Sequence, residues 1–126
     1  MLSLAAGIDA IELYRVEKTL KRHPERFLSR VFTDLEIAYC HGRVRELAVR
    51  FAAKEAMMKA LGRGWSREVS WTEIEVTRER GGRPRIRLHG RTAAYAERLG
   101  IRRISLALTH TADTALAEVI AEDEGP

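Results

Sequence analysis

The stretch from about Val44 to Leu61 reads as one helix, and it constrains what the rest of the chain can fold into. Steps of three and four residues pick out Val44, Ala48, Phe51, Glu55, Met58 and Gly62. That is the spacing of the buried stripe of an amphipathic helix, so another element has to cover it. Glu55 stands in the middle of the stripe. A carboxylate there is costly unless a metal, a cation or hydrogen bonds compensate for lost water. Either the helix rolls enough for Glu55 to reach solvent, or a compensating group meets it. Lys54 and Lys59 flank it, Lys59 one helical turn further on.

A chain of 126 residues is long enough for one domain with a real core, and the reading takes residues 1–126 as that domain. Hydrophobic content of 45% with 32% charged residues fits a folded, soluble protein rather than disorder. No apolar run approaches the roughly 18 residues of a membrane span, and no N-terminal signal pattern appears, so the expected setting is the cytoplasm, with no membrane partner. Cys40 stands alone, which excludes an intramolecular disulfide and a cysteine-based metal cluster. The net charge of +4 implies acidic partners: nucleic acid, a phosphate-rich cofactor or an acidic protein. Aromatic content of only 6% argues against a single-stranded nucleic-acid platform, which needs stacking surfaces.

Ahead of the central helix, Leu2 to Asp9 reads as a strand containing Gly7, which permits a close backbone approach. Asp9 then precedes a helix from about Ala10 to Arg22, for which it could simply be an N-cap; that helix buries Leu13, Val16 and Leu20 and ends at Pro24. Its other face carries Arg15, Lys18 and Arg22, and Arg26 and Arg30 continue the sign, which points to a docking surface for something acidic. A short helix or turn over 26–32 follows. Thr33-Asp-Leu-Glu36 has the spacing of a capping box and starts a brief helix closed by Gly42. Gly62 and Gly64 end the central helix with Arg63 between them, so backbone N–H groups and a guanidinium share one loop suited to an anion. Beyond Trp65 the pattern turns to strands: Trp71 to Arg78, a turn at Arg80-Gly-Gly-Arg83, and a return from Pro84 to His89. A helix from Arg91 to Leu99 stops at Gly100. A strand through Ile104, Leu106 and Leu108 leads into Thr109-His-Thr-Ala-Asp113. A last strand, Ala115 to Ala121, precedes an acidic tail, Glu122 to Pro126. The fold class is α+β, a long central helix packed on a mostly antiparallel sheet.

Walker A, GxGxxG, HExxH and GxSxG patterns are absent. Three polar points remain where polarity needs explaining: Asp9 at a strand end, Glu55 on the apolar stripe, and His110 at another strand end. Two carboxylates with open positions describe a Mg²⁺ site, since Mg²⁺ prefers oxygen ligands, keeps several waters and is commonly held by one or two carboxylates with substrate phosphates. Arg50, Lys54, Lys59, Arg63 and the Gly62 and Gly64 backbone would supply positive charge for those phosphates. His110, with Thr109 and Thr111, is either satisfied by a neighbour or free to bond a phosphate.

The segments Gly7-Ile-Asp-Ala-Ile-Glu-Leu-Tyr-Arg15, Phe32-Thr-Asp-Leu-Glu36 followed by Tyr39, Arg50-Phe-Ala-Ala-Lys-Glu-Ala56 with Lys59-Ala-Leu-Gly62, and Leu108-Thr-His-Thr111 resemble, in the same order, the motifs of the short bacterial holo-acyl-carrier-protein synthases. The resemblance covers essentially the whole chain; the Arg50–Gly62 block is highly specific, and Thr-His-Thr alone would be weak. It implies a 4′-phosphopantetheinyl transferase that moves phosphopantetheine from coenzyme A to a serine of apo-acyl carrier protein, releasing adenosine 3′,5′-bisphosphate, in fatty acid biosynthesis. By the same resemblance Asp9 and Glu55 bind Mg²⁺, Lys59 lies at the phosphates, and His110 and Thr111 help hold the nucleotide end. Arg15, Lys18, Arg22 and Arg26 dock the carrier, and the assembly is a homotrimer with active sites between protomers. Glu55 is the expected base for the serine proton, directly or through a metal-bound water. Ala107 and Thr114 depart from the family, many of whose members carry a serine and an aromatic there, and the loop between Cys40 and Arg50 is short. The rival reading is a small basic RNA- or ribosome-binding domain, which explains the charge but not a carboxylate on the stripe.

Overall fold

The computed structural model of the chain describes residues 4–78 and 81–123. In chain order the elements are strand β1 (Leu4–Glu12), helices α1 (Leu13–Arg22), α2 (Pro24–Val31), α3 (Asp34–Cys40) and α4 (Val44–Leu61), strands β2 (Ile74–Arg78) and β3 (Pro84–Leu88), helix α5 (Gly90–Arg98), and strands β4 (Arg103–His110) and β5 (Thr114–Glu122). The fold is α+β. Its main sheet has the order β1-β5-β4 and is antiparallel throughout, while β2 and β3 form a separate antiparallel ribbon. The sheet is therefore split in two rather than continuous.

The central helix lies across one face of the three-stranded sheet. Ala115, Ala117, Val119 and Ala121 of β5 alternate onto that face and are buried, and Ala52, Ala53, Ala56, Met57 and Ala60 of α4 meet the sheet in the main core. Small side chains on the helix let the two backbones come close, most of all at Gly7, where an added Cβ would lie 1.9 Å from the Ala56 carbonyl oxygen. The first half of α4 packs instead against α1, α2 and α3 in a second cluster through Leu47, Ala48, Val16, Val31, Phe32 and Cys40. An aromatic row, Phe32–Phe27–Phe51–Trp71, runs beside it with centroid spacings of 5.5, 6.2 and 5.2 Å.

Several expectations need correction. Leu2 and Ser3 lie outside the described residues, and β1 runs three residues beyond Asp9, because Ala10, Ile11 and Glu12 pair with Leu116, Ala115 and Thr114. Asp9 is thus mid-strand and caps nothing; α1 begins at Leu13 without a side-chain cap. Pro24 opens α2 rather than merely ending α1. Residues Trp71–Glu73 form a 3₁₀ turn, so β2 is shorter than the alternation predicts. The expected turn at 80–83 and the tail at 122–126 fall partly on residues outside those described, and Glu122 belongs to β5. The predicted limits of α4 are the observed ones, and Gly62 ends it at φ 74°. The stripe itself is different: α4 is buried on nearly every side, Glu55 is only half-buried, and the fully buried charge is its neighbour Lys54.

Candidate active site

One face of α4 and the middle of β1 bring three of the expected residues together. Asp9, opposite Ala117 in the sheet, has a side chain 15% exposed. Lys59 donates from Nζ to Asp9 Oδ1 at 3.0 Å and to the Ile8 carbonyl at 2.9 Å. Glu55, one turn earlier on α4, lines with Asp9 a cavity of about 420 Å³ walled by Val16, Phe27 and Phe51 and opening past Arg15. The Glu55 carboxylate accepts no hydrogen bond among the described residues. Burial pushes its pKa above the ordinary carboxylate value, the negative charge of Asp9 pushes it further, and Lys59 opposes both. No group of three His, Cys, Asp or Glu side chains converges among the described residues. Two carboxylates facing one cavity, one of them half-buried without a donor, are a donor set that fits a hard divalent cation completing its shell with phosphate oxygens and water.

Two cations expected near the phosphates are placed elsewhere. Lys54 is 0% exposed, and its ammonium donates to Glu36 Oε1 at 2.8 Å and to the carbonyls of Trp71 and Ile74. All three of its protons are used, so it ties α4 to α3 and to the entry of β2 instead of reaching a ligand. Arg50 is 2% exposed, held by Glu46 at 2.9 Å and stacked on Tyr39 at 4.3 Å, with Nε unpartnered. It points about 140° around the helix from Glu55 and does not line the Asp9–Glu55 cavity.

Glu36 is the residue the sequence reading undervalued. The capping box it predicts is present, with Glu36 N bonded to Thr33 Oγ1 and Thr33 N to Glu36 Oε1. The same carboxylate also receives Lys54 and, on Oε2, the Val76 N–H at 2.8 Å. Thr33 Oγ1 donates on to Glu75, whose other oxygen meets His89 Nε2 at 3.0 Å. Burial works to raise the Glu75 pKa, but hydrogen bonds from Thr33 and His89 and the charges of His89 and Lys54 outweigh it and hold the carboxyl below its ordinary value. Only the Thr33–Glu36 spacing signalled this network.

The remaining candidates stand apart from that cavity. Gly62 and Gly64 are exposed after α4, but the Arg63 guanidinium is engaged by Glu68 at 3.0 Å and lies over Tyr95. His110 is exposed at the end of β4, its Nδ1 3.4 Å from the Thr111 carbonyl oxygen, and Thr111 closes the β4–β5 turn with Asp113 and Thr114. Neither lines the Asp9–Glu55 cavity. Arg15, Lys18, Arg22 and Arg26 are all exposed, and Arg15 links their basic surface to the mouth of that cavity.

A family profile described as the 4′-phosphopantetheinyl transferase superfamily matches residues 5–117. The chain belongs to this superfamily. It is similar to the holo-[acyl-carrier-protein] synthase of Moorella thermoacetica, 53% identical with 97% of this chain and 99% of that protein covered. The synthase of Koribacter versatilis is 46% identical, with 95% and 98% covered. Among solved structures, the holo-[acyl-carrier-protein] synthase of Neisseria meningitidis superposes with a TM-score of 0.88 at 34% identity, covering 98% of this chain and 100% of that one. The Helicobacter pylori synthase in complex with coenzyme A gives 0.85 at 32% identity, covering 93% and 99%. As a superfamily member within the holo-[acyl-carrier-protein] synthases, the chain is a phosphopantetheinyl transferase.

Proposed function

We propose that the chain, as one domain over residues 1–126, transfers 4′-phosphopantetheine from coenzyme A to a serine of apo-acyl carrier protein. The reaction depends on Mg²⁺, releases adenosine 3′,5′-bisphosphate and serves fatty acid biosynthesis in the cytoplasm. The observation that carries this reading is the facing pair Asp9 and Glu55 in one cavity, with Lys59 on Asp9 and a basic helix at the mouth. Asp9 and Glu55 would hold Mg²⁺, which would neutralise pyrophosphate charge that otherwise repels the incoming oxygen.

In the transfer, the serine oxygen forms a bond to the pantetheine-bearing phosphorus, and the bond from that phosphorus to the bridging oxygen of the adenylate breaks. The adenosine bisphosphate leaves with the bridging oxygen and its electron pair. Lys59 stabilises charge on the phosphate oxygens. Glu55 takes the serine proton, and general-base help is worth about 10²–10⁴-fold. A mass gain of one phosphopantetheine on apo-carrier protein, dependent on coenzyme A and Mg²⁺, tests the reading. No gain with any apo-carrier would overturn it. For Glu55→Gln, retained metal binding with collapsed turnover supports the base, and retained turnover removes that role.

The reading includes a homotrimer with sites between protomers. Its support is the uncovered face of the main sheet: Leu4 and Ile8 are 60% and 58% exposed, and Leu116 and Ile120 of β5 share their face around the exposed Glu118. An apolar sheet face of this kind calls for a partner, and a neighbouring protomer would also give His110 and Thr111 a site to join. Light scattering on the purified protein decides it: Ile8→Arg is expected to yield monomer with activity lost, and a monomeric, active wild type would overturn the assembly.

A further inference from the structure

We propose that the carrier-protein surface continues past α1 and α2, across the 62–70 loop, to a second basic receptor formed by Arg67, Arg91 and Arg98. Trp65 is the apolar anchor between the two. This rests on the reading of the carrier as the acceptor.

Trp65 is 73% exposed, the most open large apolar side chain of the described residues. It does not stand alone. With Phe27, Val31 and Trp71 it lines a cavity of about 700 Å³ whose rim carries Arg26 and Arg30. Two residues on, Arg67 lines a different cavity, of about 430 Å³, with Glu68, Arg91 and Arg98. The turn closed by Ser66 N–H and the Val69 carbonyl at 2.9 Å, with Val69 fully buried, holds the loop so that Trp65 faces α2 and Arg67 faces α5.

The charges in this second cavity are unbalanced. Its one carboxylate, Glu68, is taken by Arg63 at 3.0 Å. Arg67, Arg91 and Arg98 make no ion pair among the described residues. The Arg98 guanidinium is held over Tyr95 at 5.6 Å, with Arg63 on the same ring at 5.5 Å. Like charges gathered without counter-charge oppose folding and favour an anionic partner. On the other side of Trp65, Arg22, Arg26 and Arg30 also lack ion pairs among the described residues. The pattern is basic, aromatic, basic. It complements an amphipathic acidic helix that places an apolar side chain at Trp65 and carboxylates to either side, an arrangement in which the aromatic supplies affinity and the flanking charges supply rate and orientation.

The test is steady-state kinetics of Trp65→Ala and of the triple reversal Arg67→Glu/Arg91→Glu/Arg98→Glu. All four residues are exposed, and an unchanged thermal midpoint verifies the fold. The Michaelis constant for apo-carrier protein is expected to rise by about tenfold or more in each. Turnover at saturating carrier and the Michaelis constant for coenzyme A should stay at wild-type values. The salt dependence of the carrier Michaelis constant should flatten in the triple variant. An unchanged carrier constant overturns the inference. A rise in the coenzyme A constant instead puts the arginines on nucleotide phosphates and also overturns it. Loss of gel retention of a short RNA with an unchanged carrier constant assigns the cluster to nucleic acid, again against the proposal. If the wild type modifies no carrier, the functional reading fails first, so the two failures are distinct.

Discussion

Replacing Lys54 by Met keeps an unbranched side chain one atom shorter and removes its charge. In the folded state it leaves Glu36, 1% exposed, without its cation, and the Ile74 carbonyl without the Lys54 donor, while the Trp71 carbonyl keeps only the Ile74 N–H. Breaking a buried pair by deleting one partner costs about 3–5 kcal/mol. The lower end applies here, because the Glu36 carboxylate still accepts the Thr33 and Val76 N–H groups. A domain of this size loses roughly 4 °C in melting temperature per kcal/mol, so the expected drop is about 12 °C. Urea titrations followed by circular dichroism at neutral pH measure the loss directly, and an unchanged m-value verifies that the unfolding reaction is the same. Adding Glu36→Gln to Lys54→Met restores charge balance, so the double variant should be more stable than the sum of the two singles predicts, by about 1–2 kcal/mol. A Lys54→Met loss below about 1 kcal/mol, or simple additivity in the cycle, would refute the view of this pair as the tie between α3, α4 and β2.

Without divalent cation, stability should fall as pH rises through the raised Glu55 pKa, because the folded carboxyl holds its proton more tightly than the unfolded one. Added Mg²⁺ should reverse that trend and Glu55→Gln should flatten it, both read from melting temperature against pH. Glu75 has the opposite sign: its depressed pKa contributes stability above the ordinary carboxylate value that is lost as pH falls through the folded value. The stability gap between wild type and Glu75→Gln should therefore shrink on acidification. Gly90→Ala should cost about 2 kcal/mol in urea titrations, since Gly90 has φ 55° and an added Cβ would lie 2.1 Å from Glu73 Oε2. Glu73 caps α5 by accepting from Arg91 N and Thr92 N.

Features written in neighbouring residues were legible. The Thr33–Glu36 capping box and the limits of α4 depend on spacings of three and four and on the glycine that stops the helix, and both appear as read. The end of β1 was not legible, because it is set by a strand a hundred positions away: Glu12 pairs with Thr114, and that ladder overrides the local preference of Asp9 for a cap. Trp71 to Glu73 alternates like a strand yet turns as 3₁₀, since Lys54 reaches the Trp71 and Ile74 carbonyls and the Ser70 N–H goes to Thr92. For the site, the odd carboxylate on the helix and Asp9 line one cavity, although Glu55 is half-buried rather than set in a buried stripe. The same stripe hid Lys54, whose acceptors are a distant carboxylate and two backbone oxygens that no periodicity announces.

The contact at Gly7 sets a dimension as well as a packing. Gly7 meets the backbone of Ala56 and Ala60, while Asp9, two residues along the same strand face, meets the residues one position earlier on the helix, Glu55 and Lys59. The spacing between the backbones that carry the two carboxylates is thus set main chain against main chain, and the side-chain rotamers work from that fixed base. Substitutions of the lining side chains Val16, Phe27 and Phe51 can reshape the cavity, but not the backbone spacing beneath it. Moving strand and helix apart requires a change at Gly7, where the core gives way along with the site.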